Sequence, residues 1–377
     1  MKHVSLLIKP ASSLCNLRCR YCFYHDIADV RSVKSYGRMS LSTAERLIRS
    51  AFEAVSPSGS IQFAFQGGEP TLAGLPFFRS FLELEARYAV PGVRVFHSIQ
   101  TNGTLLDEEW AGFLRRHNFL VGLSIDGPKD IHDLYRVDGE GNGTWNRVTQ
   151  ALRLLQKHHV EVNLLCVVTG TCAKRPQKVY RALQKLGVPY LQFIACLDPL
   201  EGERGGASYS LTPALYGRFL CGLFDAWYLD WKAGHYTSVR LFDDYIHLLL
   251  GRPPGTCATA GQCGSYLVAE GDGSLYPCDF YVLDGWKLGE AGSCTLEEAS
   301  RSPLARRFLD EGRQRPPACR TCSWFSLCRG GCKRDWRTVN GAAENYYCES
   351  FRAFFSHAYP RLCEIARAEL RAGHPGL

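Results

Sequence analysis

Cys15-Asn-Leu-Arg-Cys19-Arg-Tyr-Cys22 places three thiols in one short run, directly after the apolar segment 5–8. Three thiolates can hold three irons of a cubane 4Fe-4S cluster, and the fourth iron is then left without a protein ligand. A cluster that only carries electrons normally has all four irons bound to the protein, so the run predicts an iron that takes part in chemistry. The alternative is a zinc knuckle, but the next candidate ligand, His25, is too close in the chain to complete a good tetrahedron.

The same run, with the aromatic Tyr21 before its last cysteine, resembles the signature of the radical S-adenosylmethionine (SAM) superfamily. In that superfamily the amino and carboxylate groups of SAM chelate the open iron. One electron from the cluster then cleaves SAM to a 5′-deoxyadenosyl radical. The resemblance implies SAM as a cofactor, with Tyr21 in its binding site, and a protein whose task is to orient the cofactor's chemistry.

The composition, 46% hydrophobic and 21% charged over 377 residues, is that of a globular protein with one large and one smaller domain. The most apolar helical segment, 216–231, is interrupted by Arg218, Asp225 and Asp230, and the N-terminus lacks the apolar core of a signal peptide. We therefore expect a cytoplasmic protein with no membrane contact, whose 17 cysteines serve metals rather than disulfides. The net charge of +7 is spread along the chain, which argues against nucleic-acid binding.

Short β-rich runs alternate with helical segments as far as residue 195, which predicts an α/β fold with a parallel sheet. The first long helical segment has a capping box at Ser42 and Glu45, and the segment 148–155 has one apolar stripe. By the resemblance, residues 1–200 form a partial (β/α)6 TIM-like barrel. The predicted strands are 5–8, 61–65, 93–99, 119–125, 160–168 and 190–195.

Polar and glycine-rich motifs follow four of these runs, where α/β folds of this kind bind their ligands. Glycine lets the main chain approach a ligand closely, which suits a cofactor amino group held by backbone atoms. The motifs are Gln66-Gly67-Gly68-Glu69-Pro70, Gln100-Thr101-Asn102-Gly103, Ser124-Ile125-Asp126-Gly127-Pro128 and Leu197-Asp198-Pro199.

The resemblance implies how these positions bind SAM. The segment at Gly68 holds the amino group, Ser124 reaches the ribose, Arg136 the carboxylate and Leu197 the adenine. From the residues alone, Arg136 is more simply a solvated surface charge and Ser124 a turn or cap residue.

After the barrel, the segment 201–210 is rich in glycine and charge and is predicted to be a linker. Two helices follow, at 213–232 and 239–250, and complete a helical linker region over 201–250. From residue 251 the chain is rich in cysteine, and 265–270 and 274–277 are predicted to form a hairpin around Gly271-Asp272-Gly273.

Eight cysteines in this C-terminal part are candidate metal ligands, enough for two four-coordinate sites. Their spacing allows two structural zincs or two fully ligated 4Fe-4S clusters. Because a radical-generating cluster needs an electron path and zinc has no redox chemistry, clusters are favoured. The eight are Cys257, Cys263, Cys278, Cys319, Cys322, Cys328, Cys332 and Cys348.

This arrangement resembles the SPASM extension of peptide-modifying radical SAM enzymes, which implies a SPASM domain over 251–377. The ligand order in that extension is interleaved. Carried over, it assigns Cys257, Cys263, Cys278 and Cys332 to a first auxiliary cluster and Cys319, Cys322, Cys328 and Cys348 to a second. The other cysteines have no ligand spacing and are predicted to be small buried apolar residues: Cys166, Cys172, Cys196, Cys221, Cys294 and Cys363.

Four longer strings resemble the anaerobic sulfatase-maturating enzymes. That family oxidises the active-site Cys or Ser of a sulfatase to Cα-formylglycine without molecular oxygen, so the resemblance implies a sulfatase polypeptide as substrate. It also implies three 4Fe-4S clusters and an external low-potential electron donor. The strings are Ser5-Leu-Leu-Ile-Lys-Pro-Ala-Ser-Ser, Cys22-Phe-Tyr-His, Phe63-Ala-Phe-Gln-Gly-Gly-Glu-Pro-Thr-Leu-Ala-Gly and Tyr276-Pro-Cys-Asp-Phe-Tyr-Val-Leu.

Such an oxidation needs a base, because a target residue that has lost hydrogen from Cβ must also lose a proton and an electron. Asp126, Asp198 and Asp279 are the candidates, and the family places its catalytic aspartate at the position of Asp279, beside Cys278. The alternative for Asp279 is an Asp that caps a turn next to a metal site. Asp126 is the reserve candidate.

Tyr24 and His25, which follow the cysteine run, are candidate linings of the substrate mouth or support for the cluster. Two other functions remain open from the sequence. One is a SPASM enzyme that forms thioether or other crosslinks in a peptide, and the other is a binding protein with structural zinc.

Overall fold

The computed structural model of the protein describes residues 1–372. Its contacts divide the chain into two compact units, each assembled from separate segments. The first unit comprises Met1–Ser124, Asp133–Val162 and Gly264–Asp310. The second comprises Ile125–His132, Asn163–Cys263 and the described residues from Glu311 onward. The domain boundaries expected near residues 200 and 250 stay a prediction.

A sheet organises the first unit. Parallel strands pair in register, with His3 opposite Ser60, Ser60 opposite Arg94, and Ser98 opposite Leu120. The predicted hairpin exists, and its first strand pairs parallel to the first strand of the chain. In spatial order the strands are Gly289–Glu290, Ser274–Tyr276, Leu267–Ala269, His3–Ile8, Ser60–Phe65, Arg94–Thr101 and Leu120–Ser124.

Aromatic side chains fill one face of this sheet. Phe63 and Phe65 are buried and point to the same side, because they are two residues apart on a strand. Both rings meet Phe81 edge-on, at centroid distances of 5.2 and 5.0 Å. This packing anchors the strand end from which the Gln66 motif continues.

The second unit contains the parallel strands Val162–Val168, Tyr190–Ala195 and Ser238–Val239, the first of which begins at the unit boundary. Its long C-terminal helix, Cys348–Ala372, packs on the helix Pro213–Lys232. All six strands predicted before residue 195 are confirmed, and so are the helices predicted at 213–232 and 239–250. A two-stranded sheet, Trp336–Val339 with Ala342–Asn345, was not foreseen.

Helix bounds confirm the predicted amphipathic segments but correct one cap. The predicted capping box at Ser42 and Glu45 is wrong, because the helix starts two residues earlier and Ser40 Oγ accepts the Thr43 amide at 3.1 Å. Glu45 instead accepts the Tyr88 hydroxyl. The main helices are Phe23–Val30, Leu41–Ala54, Leu75–Tyr88, Glu108–Arg116, Lys129–Tyr135, Trp145–Lys157, Pro176–Gln184, Pro213–Lys232, Arg240–Leu249, Leu296–Arg301, Pro303–Arg313 and Cys348–Ala372, with single turns at Gly170–Ala173, Cys257–Ala260 and Phe325–Cys328.

None of the helices in residues 1–372 combines the length and the apolar character that a membrane span requires.

Candidate functional site

The three N-terminal cysteines lie on a loop between the strand His3–Ile8 and the helix Phe23–Val30. All three are free thiols and half-buried. Burial, together with the charges of Glu69 and of the neighbouring Cys19 and Cys22, raises the pKa of Cys15 to about 12. Three thiols crowded in a poorly solvated place ionise only if a cation binds them, so this donor set fits an iron-sulfur cluster.

The glycine-rich motif after the second strand packs against that loop. The Gly68 amide donates to Ser12 O at 2.9 Å, and the Glu69 amide donates to Leu14 O at 2.7 Å. A Cβ atom at position 68 would stand 2.0 Å from Leu14 O. Glycine is therefore required here because two main chains meet, and the position of the cysteine loop depends on it.

Replacing Gly68 by alanine (Gly68→Ala) is expected to displace the loop and to prevent the N-terminal cluster from assembling. Iron content should fall from about 12 to about 8 atoms per chain, since the C-terminal cysteines are untouched. Gly112→Ala is the matched control, because a Cβ there meets nothing within 4 Å. Full iron content in Gly68→Ala would contradict the structural role of this contact.

The Glu69 side chain is linked to the cysteine loop through Asn102. Its carboxylate is buried and accepts bonds from Thr71, from the Thr101 hydroxyl at 2.7 Å and from the Asn102 amide at 2.8 Å. Burial raises the pKa of Glu69, and these donors oppose that rise. Asn102 in turn donates to Asn16, on the cysteine loop, at 2.9 Å. The sequence analysis missed Glu69 and Asn102, although both belong to motifs that it quoted.

Tyr21, Ser124 and Arg136 are all buried in the first unit. The Arg136 guanidinium lies 5.5 Å from the centroid of the Tyr21 ring, and its charge lowers the pKa of Cys22 against the larger effect of burial. Arg136 is therefore no surface charge, in contrast to what the residues alone suggested. Main-chain bonds from Arg18 to Val137 and from Arg20 to Tyr135 join this segment to the cysteine loop. The assignment of these residues to SAM stays a prediction.

Leu197 follows the strand Tyr190–Ala195 in the second unit and is half-buried. It accepts the Cys196 thiol through its carbonyl oxygen, at 3.8 Å. Its predicted contact with adenine is not tested.

Asp279 lies in a compact polar group with Lys9, Tyr24 and Gln66. The Lys9 ammonium is 3.0 Å from Oδ1, and the Tyr24 hydroxyl donates to Oδ2 at 2.6 Å. Gln66 Nε2 donates to the Tyr24 hydroxyl at 2.5 Å and lies 3.4 Å from Oδ2. Asp279 is 4% exposed and Lys9 3%.

The sheet explains how these residues, which are far apart in the chain, come together. Lys9 directly follows the first strand, and its amide donates to Ala269 O at 2.9 Å. The hairpin then returns through Ser274–Tyr276 and brings Asp279 to the same edge. Burial strongly raises the pKa of Tyr24, and the Asp279 charge adds to the effect, so the phenol keeps its proton and remains a donor.

The two oxygens of Asp279 differ in what binds them. Oδ2 accepts hydrogen bonds, whereas among residues 1–372 no donor is directed at Oδ1 for a hydrogen bond, although the Lys9 ammonium stands at ion-pair distance. Oδ1 therefore keeps acceptor capacity, which a carboxylate oxygen needs in order to receive a proton.

The other two candidate bases are engaged by their own loops. Asp126 Oδ1 accepts the Val167 amide at 2.9 Å. Asp198 accepts the Gly205 amide at 3.1 Å on one oxygen and the Ser210 hydroxyl on the other. Both carboxylates stabilise loops in the second unit, as turn residues do. The segment predicted as a linker is thus a loop fastened to Asp198.

Four of the predicted auxiliary ligands line one cavity of the second unit. Burial raises the pKa of Cys328 to about 12 and that of Cys319 less strongly, with the charges of neighbouring thiols adding to both. Buried, mutually close thiols again fit a cluster that carries positive metal charge. The cavity is lined by Cys319, Cys322, Cys328 and Cys348 together with Trp324, Phe325, Gly330, Phe351, Arg352 and Phe355, among others.

The four cysteines assigned to the first auxiliary cluster belong to different units. Cys278 lies in the first unit, and Cys257, Cys263 and Cys332 lie in the second. Burial raises the pKa of Cys263 in the second unit, and the neighbouring charge of Cys257 adds to it. Cys332 Sγ accepts the Arg334 amide. In the first unit, Cys278 Sγ lies 3.8 Å from the Tyr266 hydroxyl. The grouping of these cysteines stays a prediction.

Across residues 1–372, no three His, Cys, Asp or Glu side chains are arranged to hold one ion.

Among the cysteines predicted to be small buried residues, Cys166, Cys172 and Cys196 are buried in the structure. The prediction is wrong for Cys221, Cys294 and Cys363, which are half-buried because they lie nearer the surface of their helices and turn.

His25 lies beside the cluster loop, as expected from its position. Burial lowers its pKa, and the charge of Arg18 lowers it further, so the imidazole is neutral near pH 7. Its ring nitrogen Nε2 is buried, and within the described part of the chain it has no hydrogen-bond partner.

Two family models match the chain. The radical SAM superfamily model covers residues 10–189, and the SPASM iron-sulfur cluster-binding domain model covers residues 260–323. The chain is 46% identical to the Cysteine-type anaerobic sulfatase-maturating enzyme of Clostridium perfringens, over 97% of this chain and 99% of that protein. It is 35% identical to the Serine-type anaerobic sulfatase-maturating enzyme of Klebsiella aerogenes, over 96% of this chain and 87% of that protein.

A solved structure agrees with these matches. Native anSMEcpe with bound AdoMet and Cp18Cys peptide superposes with a TM-score of 0.92 and 44% identity, over 97% of this chain and 99% of that chain. Streptococcus suis SuiB bound to its precursor peptide SuiA, at 16% identity and a TM-score of 0.59, shares the fold alone.

Proposed function

The chain belongs to the anaerobic sulfatase-maturating enzymes of the radical SAM superfamily, and on that premise we propose that it oxidises the active-site cysteine of a sulfatase to Cα-formylglycine without oxygen. The observation that supports this most directly is the buried Asp279 with its hydrogen-bond donors on one oxygen and acceptor capacity on the other. The nearly full-length similarity to enzymes of this name, in both the barrel and the cysteine-rich part, supports it further.

Three groups of cysteines would hold the clusters. The thiolates of Cys15, Cys19 and Cys22 would bind the SAM-binding cluster, and the two auxiliary sets would bind the others. Arg136, Ser124, Tyr21, Gly68 and Leu197 would position SAM. When bound, SAM and its cluster supply hydrogen-atom abstraction, and the auxiliary clusters take up one electron.

The protein's own contribution is to move one proton. The target residue must lose a hydrogen atom from Cβ, a proton from its thiol and one electron, which leaves a thioaldehyde that water converts to the aldehyde with release of hydrogen sulfide. Asp279 Oδ1 receives the thiol proton. Tyr24 and Gln66 fix Oδ2 and thereby the direction of Oδ1, and the Lys9 ammonium holds the carboxylate in place.

The preferred target should be cysteine. Identity to the Cysteine-type enzymes of Clostridium is 43–46%, against 33–35% for the Serine-type enzymes. We infer that the reductant is a low-potential electron donor and that the enzyme acts on its client in the cytoplasm, before the sulfatase reaches its final location.

Anaerobic incubation of the iron-loaded enzyme with SAM, dithionite and a sulfatase peptide tests this function. The peptide with cysteine should gain a carbonyl that a hydrazide traps, with sulfur exchanged for oxygen and two hydrogens lost. We expect the same peptide with serine to react at least about tenfold more slowly, a difference of about 1.4 kcal/mol in transition-state energy. SAM cleavage without any trapped carbonyl would refute the proposal.

A crosslinking enzyme is not favoured, because relatives matching nearly the whole chain are named as sulfatase-maturating enzymes. A zinc-binding protein is not favoured either, since the matched C-terminal model is that of an iron-sulfur cluster-binding domain.

A further inference from the structure

Four arginines stand at the cavity formed by Cys319, Cys322, Cys328 and Cys348, and we call them the arginine rim: Arg315, Arg320, Arg329 and Arg352. Arg352 lines the cavity, Arg320 lies between two of its cysteines in the chain, and Arg329 follows a third. The Arg315 guanidinium lies 5.4 Å from the ring centroid of Phe325, which lines the cavity.

The charges of the rim are poorly neutralised. Arg315 donates to the carbonyl oxygens of Arg329, at 2.9 Å, and of Gly261, and these acceptors carry no charge. Arg320 and Arg352 are exposed. The surrounding sequence, 313–337, has seven Arg or Lys residues and a single Asp, and two of the seven are paired outside it: Lys333 with Glu311 at 2.6 Å and Arg337 with Glu344 at 3.3 Å.

Two carboxylates also lie near this cavity. Glu349 directly follows Cys348 in the chain, and Glu344 lies on the strand Ala342–Asn345, whose last residue lines the cavity. Glu344 is bound by Arg337 at 3.3 Å, so its charge is already compensated. The local excess of charge is therefore positive.

An aromatic patch lies within the rim. Phe325 lines the cavity and is 37% exposed, with its ring centroid 5.4 Å from the Arg315 guanidinium. Trp324 lines the same cavity and is half-buried. An apolar centre enriched in aromatic residues and arginine, with a charged periphery, is the usual composition of a surface that docks another protein.

We propose that the arginine rim docks a small acidic protein that carries one electron, and that the cluster held by these four cysteines passes its electron to that carrier. The inference rests on the proposed function, because each oxidised target residue leaves one electron on the auxiliary clusters. In this step one electron moves from the reduced cluster to the oxidised carrier, and no bond forms or breaks. The half-buried cysteines keep the path to the surface short.

A competing explanation is that the arginines only compensate the negative charge of a thiolate-bound cluster and thereby raise its reduction potential. That effect would change the rate toward every acceptor in the same direction. Docking depends on the charge of the acceptor, so acceptors of opposite charge distinguish the two explanations.

The test mixes dithionite-reduced holoenzyme, freed of excess reductant, with oxidised plant-type [2Fe-2S] ferredoxin, which is strongly acidic, or with oxidised benzyl viologen, a dication. In Arg320→Glu/Arg352→Glu the rate with ferredoxin at low ionic strength should fall at least about tenfold and lose most of its salt dependence. The rate with benzyl viologen should stay the same or rise. Lys174→Glu/Arg218→Glu makes the same change in net charge at two exposed positions outside the cysteine-rich segments and should leave the ferredoxin rate within about twofold.

The proposal is overturned if the rates with both acceptors change in the same direction, if the ferredoxin rate is unchanged or rises, or if the control variant loses as much as the rim variant. Iron content and the spectrum of the reduced clusters are checked in each variant. Formylglycine formation driven by dithionite needs no carrier and reports separately on the proposed function. If the wild-type enzyme forms no formylglycine, that function fails whatever the carrier rates are.

Discussion

Replacing Asp279 by asparagine (Asp279→Asn) is expected to slow formylglycine formation by about 10²- to 10⁴-fold while SAM cleavage continues. The amide occupies the same place and can still accept the Tyr24 hydroxyl, but it cannot take up a proton. The residues around the N-terminal cysteines are unchanged, so the chemistry of SAM is preserved. Quantified 5′-deoxyadenosine and hydrazide-trapped peptide from the same reaction measure the two steps.

The loss of stability in Asp279→Asn has to be separated from its loss of activity. Asp279→Asn leaves the Lys9 ammonium, 3% exposed, without its counter-ion, which costs about 3–5 kcal/mol in a buried pair. The double variant Lys9→Met/Asp279→Asn should recover most of that stability and remain inactive.

Asp284→Asn is the matched control for Asp279→Asn. It changes an exposed carboxylate of the same segment, which accepts the Ser32 amide, and it should turn over like the wild type. If Asp279→Asn forms formylglycine within about threefold of the wild-type rate, Asp279 is not the base, since general bases contribute about 10²-fold or more.

Arg31→Met is expected to destabilise the first unit by about 3–5 kcal/mol. Arg31 Nη1 lies 2.6 Å from Glu270 Oε2, and the two side chains are 2% and 1% exposed. Arg31 also donates to Lys34 O, so this ion pair fastens the segment after the first helix to the hairpin that carries Asp279. Removing Arg31 leaves Glu270 as a buried charge without its counter-ion, held only by the Gly271 amide, which donates to Oε1 at 2.8 Å.

The shift of the urea midpoint at constant slope measures this effect. Arg31→Met/Glu270→Met should recover much of the loss, because a buried ion pair replaced by apolar side chains is often neutral. Lys34→Met breaks an exposed pair with Asp29 in the same segment and should cost less than about 1 kcal/mol. Equal costs for Arg31→Met and Lys34→Met would contradict the importance assigned to burial.

Local sequence patterns predicted most of the secondary structure, because strands and amphipathic helices depend on neighbours in the chain. The runs 61–65 and 190–195 became strands with the same or nearly the same bounds. The error at Ser42 has a local cause, since Ser40 and Ser42 are both capping residues and only the three-dimensional start of the helix selects between them.

The sequence predicted Asp279 and Tyr24 as candidates, but it did not single out Lys9, Glu69 or Asn102 or predict the contacts that these residues make. Lys9 and Asp279 lie far apart in the chain, and they meet because the strand Leu267–Ala269 pairs with His3–Ile8. No local pattern encodes such a pairing, so the partner of the predicted base could not be found from the sequence. The same holds for Arg136, whose burial depends on its packing with Tyr21.

The account depends on an iron that the trio Cys15, Cys19 and Cys22 leaves open for SAM. Electron–nuclear double resonance on the reduced enzyme, with SAM labelled by ¹⁵N at its amino group and ¹⁷O at its carboxylate, tests this directly. We predict hyperfine coupling of both labels to a reduced cluster, and its disappearance in Cys22→Ala. Absence of coupling from either label in an enzyme that contains all of its iron would contradict the account.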